Sequence, residues 1–176
     1  MRRVLSVLFL AVSLTGCEEK LRPSVVTLPP TDIPDQESWR STVTFSDSGK
    51  IKAILWAGHI SMYANQGYTL LGDSVHVDFY DEFEKHSSTL TARRGKVNDR
   101  TQDLEAYENV VVRSDSGTTL ESDRLFWDNG RRKIHTDAFV HIVSPTDEIR
   151  GQGLVSDQSL KNYRIAKVTG RAVTNE

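Results

Sequence analysis

Apolar and polar residues alternate in short runs from Trp39 onward, and clusters of turn-forming residues separate the runs. The clusters lie between stretches such as Val110-Val111-Val112 and Leu120 to Trp127. They comprise residues 46–49, 114–117, 128–130 and 144–147, which are rich in Ser, Asp, Asn, Gly and Pro. No sustained period of 3.6 residues appears, so the pattern predicts an all-β body of antiparallel strands with almost no helix.

The runs form an internal repeat of about thirty residues that contains two interleaved half-units. In the first half-unit an apolar residue is followed two positions on by a small residue and eight positions on by a closing residue. Its four copies start at Leu55, Leu90, Leu120 and Ile149, with the small residues Ala57, Ala92, Ser122 and Gly151 and the closing residues Tyr63, Asn98, Asp128 and Asp157. We expect the interior of the sheet to be narrow beside the small position.

The second half-unit places apolar residues eight positions apart. Its copies start at Leu71, Leu104, Ile134 and Ile165 and end at Phe79, Val112, Ile142 and Val173. A single unit of this size cannot bury an apolar face, so the units must share one interior. The prediction is one elongated domain over residues 39–176, an antiparallel β-jelly roll or twisted open roll built from repeated strand units.

The N-terminus has the features of an export signal. Met1, Arg2 and Arg3 precede the mostly apolar run 4–14, which is too short to span a bilayer. The sequence Leu14-Thr15-Gly16-Cys17 matches a lipobox, so residues 1–16 are predicted to be a cleaved signal peptide and Cys17 the lipidated first residue of the mature protein. Cys17 is the only cysteine, which excludes a disulfide framework and a thiolate metal cluster.

Residues 17–38 are predicted to be an extended tether, because four of the five prolines lie there. Removal of Arg2 and Arg3 with the signal peptide leaves 20 basic against 24 acidic side chains, a formal charge of −4. This acidic balance argues against a nucleic-acid partner. No second apolar stretch approaches the roughly 20 residues of a membrane span, so attachment to the membrane would depend on the lipid alone.

Candidate catalytic and metal-binding groups are weak. His135 and His141 would share a face of one strand, but at about 3.3 Å per residue they lie about 20 Å apart, too far for one metal ion. There is no Gly-x-Ser-x-Gly motif and no catalytic cysteine, and the acidic stretch 81–86 has the composition of a solvated hairpin tip. The prediction is a protein that is not an enzyme and has no cofactor or metal site.

Three consecutive segments carry a resemblance to a known family. They are Leu120-Glu121-Ser122-Asp123-Arg124-Leu125, then Thr136-Asp137 with Val140, then Ile149-Arg150-Gly151-Gln152-Gly153. An earlier acidic-glycine turn at 46–49 and the segment Leu55-Trp56-Ala57 precede them. From about Trp39 to Val173 the chain resembles the LptC family, the periplasmic bridge component of the lipopolysaccharide export machine, whose fold is shared with OstA-like domains such as the soluble LptA bridge.

The resemblance implies that the interior is a groove for lipid acyl chains; from the residues alone, a closed core is an equal alternative. The candidate groove residues are Phe79, Val110, Val112, Leu125, Trp127, Ile134, Val140, Ile142 and Leu154. It also implies partners at the two ends of the roll, an inner-membrane ABC transporter at one and an LptA-type bridge protein at the other. The candidate docking edges contain Thr42, Val43 and Phe45 at the N-terminal end and Ile165, Val168 and Val173 at the C-terminal end.

The anchor departs from the better-known family members, which are held by a transmembrane helix. The resemblance implies the periplasmic face of the inner membrane, whereas Glu18 after Cys17 does not decide between inner and outer membrane. Two alternative functions remain. The first is a structural or polysaccharide-binding outer-membrane lipoprotein with a packed β-rod. The second is an envelope hydrolase, which would need a polar pocket of convergent titratable groups.

Overall fold

The structure, a computed structural model, describes residues 33–173. Within them it contains ten strands and one short 3-10 helix, Ala64–Gln66. The strands are β1 (Gln36–Asp47), β2 (Lys50–Tyr63), β3 (Tyr68–Tyr80), β4 (His86–Ala92), β5 (Arg94–Asn98), β6 (Leu104–Ser114), β7 (Thr119–Asp128), β8 (Lys133–Val143), β9 (Asp147–Asp157) and β10 (Tyr163–Val173). The predicted all-β fold is confirmed. Strand β1 starts three residues before the boundary at Trp39 that the sequence predicts.

All ten strands form one antiparallel sheet in the order β1-β2-β3-β4-β6-β7-β8-β9-β10. Strand β5 continues the path of β4 and pairs with β3 and β6. The four turn clusters seen in the sequence all lie at hairpin connections between neighbouring strands. Apart from β4 and β5, consecutive strands therefore pair with each other, as expected for a chain built from repeated hairpin units.

The long strands bend near their middles, where the pairing register shifts. The shifts lie between Ala57 and His59 in β2, between Tyr107 and Val110 in β6 and between Ser122 and Phe126 in β7. Several residues at these bends have positive φ, among them Asp73 and Asn109. Because bulges bend and twist a strand, the aligned bends fold the sheet into two facing layers.

We call these layers A and B. Layer A contains residues 36–39, 59–63, 68–72, 94–98, 104–107, 124–128, 133–136, 154–157 and 163–167. Layer B contains residues 41–47, 50–57, 75–80, 86–92, 110–114, 119–122, 139–143, 147–151 and 168–173. Each first half-unit of the repeat runs from layer B to layer A, and each second half-unit runs back.

The small residue of the repeat lies beside the bend in each copy. At Gly151 the two strands are so close that an added Cβ would lie 2.5 Å from Ile165 Cγ2 and 2.5 Å from the Lys167 carbonyl oxygen. Ala57 and Ser122 stand next to the corresponding bends of β2 and β7. The requirement for a small side chain thus comes from the folding over of the sheet.

Candidate functional site

The nine candidate groove residues all lie in the interior between the two layers. Layer B contributes Phe79, Val110, Val112, Val140 and Ile142, and layer A contributes Leu125, Trp127, Ile134 and Leu154. The most exposed of the nine is Trp127, at 8%. They belong to one contiguous apolar cluster, which follows from the alternation of inward and outward residues along each strand.

This interior is filled by its own side chains. The rings of Phe79 in layer B and Trp127 in layer A meet across it, with their centroids 4.8 Å apart. A cavity of about 20 Å³ remains beside them, lined by residues that include Phe45, Leu55 and Leu104. Such a volume holds about one water molecule. An acyl chain could enter only if the layers moved apart or the side chains repacked.

The hairpin turns of the two layers face each other on the side opposite the bends, and we call the gap between them the mouth. The turn between β9 and β10 crosses this gap. Gln158 Nε2 donates to the Tyr80 carbonyl oxygen at 3.0 Å, and Ser88 Oγ donates to the Gln158 carbonyl oxygen at 2.6 Å. A second crossing is the ion pair of Arg132 with Glu82, at 3.3 Å. We call residues 157–162 the strap.

Asp157 organises the strap. Its Oδ1 accepts hydrogen bonds from Ser159 Oγ at 2.9 Å and the Lys161 amide at 3.1 Å, and its Oδ2 accepts from Asn162 Nδ2 at 2.8 Å. Burial alone would raise the pKa of Asp157, but these hydrogen bonds outweigh burial and hold the pKa below its ordinary value of 3.8. The ionised carboxylate is therefore the form that fits the folded turn.

Acidification should loosen the strap. Because the pKa of Asp157 is lower in the folded than in the unfolded protein, its contribution to stability is present above the ordinary value of 3.8 and is lost as the pH falls through the lowered value. The protection factors of the 158–162 amides, which correct each rate for the slower intrinsic exchange in acid, should fall across that range. Asp157→Asn should have low protection factors at neutral pH, and they should change little as the pH falls. An unchanged pH profile in this variant would contradict the assignment.

The histidines lie on the outer surface, where four of the five pair with carboxylates and His135 stacks on Phe126. His86 contacts Asp115 at 2.8 Å and Asp78 at 3.3 Å, and His141 contacts Glu148 at 3.0 Å. Among residues 33–173, no three histidine, cysteine, aspartate or glutamate side chains are grouped so that they could hold a metal ion. These pairs are spread over separate strands and do not converge on the interior.

The candidate docking edges belong to β1 and β10, the first and last strands of the sheet. Within residues 33–173 each pairs on one side only, so a row of backbone groups is free on each. Val168 and Val173 are exposed at 55% and 65%, whereas Phe45 and Ile165 pack against the core. Thr42 and Val43 are exposed. The two edges thus combine free backbone groups with apolar side chains.

One feature of the interior is absent from the sequence predictions. Leu160, in the strap, is 2% exposed and belongs to the core cluster. It lies between a first and a second half-unit of the repeat, where the pattern predicts only a connecting turn. The polar composition of 156–162 resembles that of any exposed hairpin, so no signal in the sequence marks the inward leucine.

The predicted signal peptide, Cys17 and residues 17–32 of the predicted tether lie outside the described residues, whereas its last three residues, 36–38, belong to β1. Among residues 33–173, no helix is long and apolar enough to cross a membrane.

Comparison with known proteins agrees with this architecture. The family described as "Lipopolysaccharide-assembly, LptC-related" matches residues 37–172. The structure of LptH from Pseudomonas aeruginosa, described as the LptA-homologous periplasmic component of the lipopolysaccharide transport device, superposes with a TM-score of 0.56 at 11% identity, covering 75% of this chain and 99% of that one. No curated protein matches the chain. The likeness to LptH shows the fold, and the match over nearly all of the described strands shows that the chain belongs to the LptC-related lipopolysaccharide-assembly family.

Proposed function

We propose that the protein carries lipopolysaccharide across part of the periplasm by holding its acyl chains between the two β-layers, with no chemistry of its own. Membership of a lipopolysaccharide-assembly family supports a transport role. The observation on which the proposal depends is the apolar interior, which runs without a break through both layers and contains all nine candidate residues. A conduit of this kind needs a continuous apolar surface and no reactive group.

The energetics of such a conduit favour reversible binding. Transfer of an acyl chain from water to an apolar site is favourable by about 0.8 kcal/mol for each methylene group. The chain must, however, separate side chains such as Phe79 and Trp127, which already bury each other. The net affinity is therefore smaller than the transfer value, which suits a carrier that must release its cargo. Directional movement would be powered by an ATPase elsewhere in the machine.

The same proposal assigns a partner to each end of the sheet. Strand β1, at the N-terminal edge, would receive lipopolysaccharide from the jelly-roll domains of an inner-membrane ABC transporter. Strand β10, at the C-terminal edge, would pass it to a soluble LptA-type bridge protein. Free edge strands support both contacts, because each can add a strand of a neighbouring roll. Lipidated Cys17 and the tether would hold the roll at the periplasmic face of the inner membrane.

Photo-crosslinking from two adjacent aromatic residues tests the proposal. Trp127 points into the interior, whereas Phe126 lies on the outer face and stacks on His135. A photoreactive phenylalanine at position 127 should form an adduct with lipopolysaccharide in cells with an intact export machine. The same group at position 126 should not, because only residue 127 faces the proposed cargo. Equal adducts at both positions, or none at position 127 in a folded protein, would argue against the conduit.

The filled interior favours one other function, that of a packed structural or polysaccharide-binding rod on the outer membrane. A cavity of about 20 Å³ is what a permanently closed β-rod would contain. Co-purification separates the two functions. If the protein is a conduit, an ABC transporter should co-purify with it from extracted membranes. If it is an outer-membrane rod, no ABC transporter should co-purify.

A further inference from the structure

The strap, residues 157–162, makes hydrogen bonds across the mouth of the roll to residues far away in the chain. Every cross-mouth partner of the strap lies in layer B or its turns, although the strap itself extends from layer A. A turn that connected only β9 and β10 would have no need of these contacts. We propose that the strap is a latch, which closes the mouth of the empty roll and swings out to admit acyl chains from the side. This inference rests on the proposed function.

Four hydrogen bonds hold the strap in place. The Gln158 side chain donates to the Tyr80 carbonyl oxygen at 3.0 Å and to Ser87 Oγ at 3.2 Å. Ser88 Oγ donates to the Gln158 carbonyl oxygen at 2.6 Å, and Ser114 Oγ donates to the Ser159 carbonyl oxygen at 2.5 Å. Each of these polar groups can exchange its partner for water when the strap moves outward, so opening leaves none of them unsatisfied.

Leu160 gives the latch its sensitivity to apolar cargo. Its φ of +54° lies in the left-handed region, which is unfavourable for a leucine, yet its side chain is 2% exposed inside the roll. Burial of the side chain therefore holds the turn in a conformation that it would otherwise leave. An acyl chain that occupies the same apolar space displaces Leu160 and removes the reason for the strained backbone. Cargo and strap thus compete for one site.

The latch can open without disturbing the rest of the sheet. Strands β9 and β10 pair with each other on the layer A side of the strap, from Ser156 and Tyr163 onward. Within the strap only Asp157 belongs to a ladder, opposite Lys133 at the start of β8, so residues 158–162 can swing outward from it. The mouth is also crossed near the strap by the ion pair of Arg132 with Glu82, whose carboxylate is 77% exposed. An exposed pair of this kind adds little to closure.

A disulfide that locks the strap tests the latch. Ser114→Cys with Ser159→Cys should join the strap to layer B. Ser114 Oγ lies 2.5 Å from the Ser159 carbonyl oxygen, which keeps the two Cα atoms within about 7 Å, the reach of a disulfide, and the side chain at 159 must turn from Asp157 to form it. The control is Thr119→Cys with Val143→Cys, which joins directly paired outward residues of β7 and β8 within layer B. Purified lipopolysaccharide is the probe. The oxidised strap pair should load it about tenfold more slowly or worse than the same protein after reduction, because the open fraction falls. The control pair should load equally in both states.

The outcomes separate the latch from the conduit. If the oxidised strap pair loads as fast as the reduced one, the latch is wrong although the conduit stands. If wild type and control load no lipopolysaccharide, the conduit itself fails. If the disulfide does not form, Leu160→Gly tests the latch instead. Glycine lacks the buried side chain and adopts positive φ without strain. The Leu160→Gly variant should load lipopolysaccharide faster than wild type. The control Leu90→Ala, which truncates an interior side chain of β4 and leaves the strap in place, should not. Equal loading rates for Leu160→Gly and wild type would overturn the latch.

Discussion

Phe79→Ala should lower the free energy of unfolding by about 3–5 kcal/mol, among the largest effects of any single truncation in the described chain. Phe79 is 1% exposed and contacts Trp127 across the interior, at 4.8 Å between ring centroids. The lost ring leaves a cavity that layer B cannot close by simple collapse, because its strands are fixed by their neighbours on both sides. Urea unfolding followed by Trp fluorescence measures the change.

Phe83→Ala is the matched control, since Phe83 lies four residues away at the tip of the β3–β4 turn and is 88% exposed. It should change stability by less than about 0.5 kcal/mol. The comparison also examines the state of the interior. In an open, solvent-filled groove Phe79 would already be hydrated, and its truncation would cost little more than that of Phe83. Similar values for the two variants would therefore contradict a filled interior.

A stability measurement of this kind bears on function. If side chains fill the interior when no lipid is bound, lipid binding must replace contacts between side chains with contacts to lipid. The Phe79→Ala variant has space for cargo that wild type lacks. We expect it to bind small apolar molecules in the new cavity, as dry apolar cavities do. The new cavity lies beside Trp127, so acyl chains that occupied it would contact the residue chosen for photo-crosslinking.

Much of the fold follows from local features of the sequence. The four clusters of turn residues mark four hairpins, and the repeat separates strands that run from layer B to layer A from those that run back. The small residue of the first half-unit, such as Gly151, predicts a narrow place in the interior; the structure shows that it lies beside a bend. These features are visible because strand alternation and turn chemistry act over a few residues.

Other features depend on contacts that no local pattern records. The break at Arg93 that divides β4 from β5 has no turn signal. Leu160 is buried only because the strap crosses to Ser88 and Ser114, residues about 70 and 45 positions earlier. Whether the interior is open or filled depends on how closely two layers approach, which alternation within each strand does not determine. The nine interior residues were predictable as a set, but their packing was not.

Gly151→Val should detach much of β10 from β9, although valine is a better strand former than glycine. An added Cβ would lie 2.5 Å from Ile165 Cγ2 and 2.5 Å from the Lys167 carbonyl oxygen, both in β10. The second of these atoms belongs to the backbone and cannot move without shifting the strand. We expect a loss of about 1–3 kcal/mol or more, as for other overpacked cores, and rapid hydrogen exchange of the β10 amides.

Gly170→Val is the control, because it makes the same substitution in β10 at a position where an added Cβ meets nothing within 4 Å. Its stability should stay within about 0.5 kcal/mol of wild type, with slow exchange along β10. If β10 is the docking edge for a soluble bridge protein, Gly151→Val should lose that partner while Gly170→Val retains it. Retained binding by a Gly151→Val variant whose β10 amides exchange freely would show that the bridge docks elsewhere, since a detached strand cannot template the addition of another.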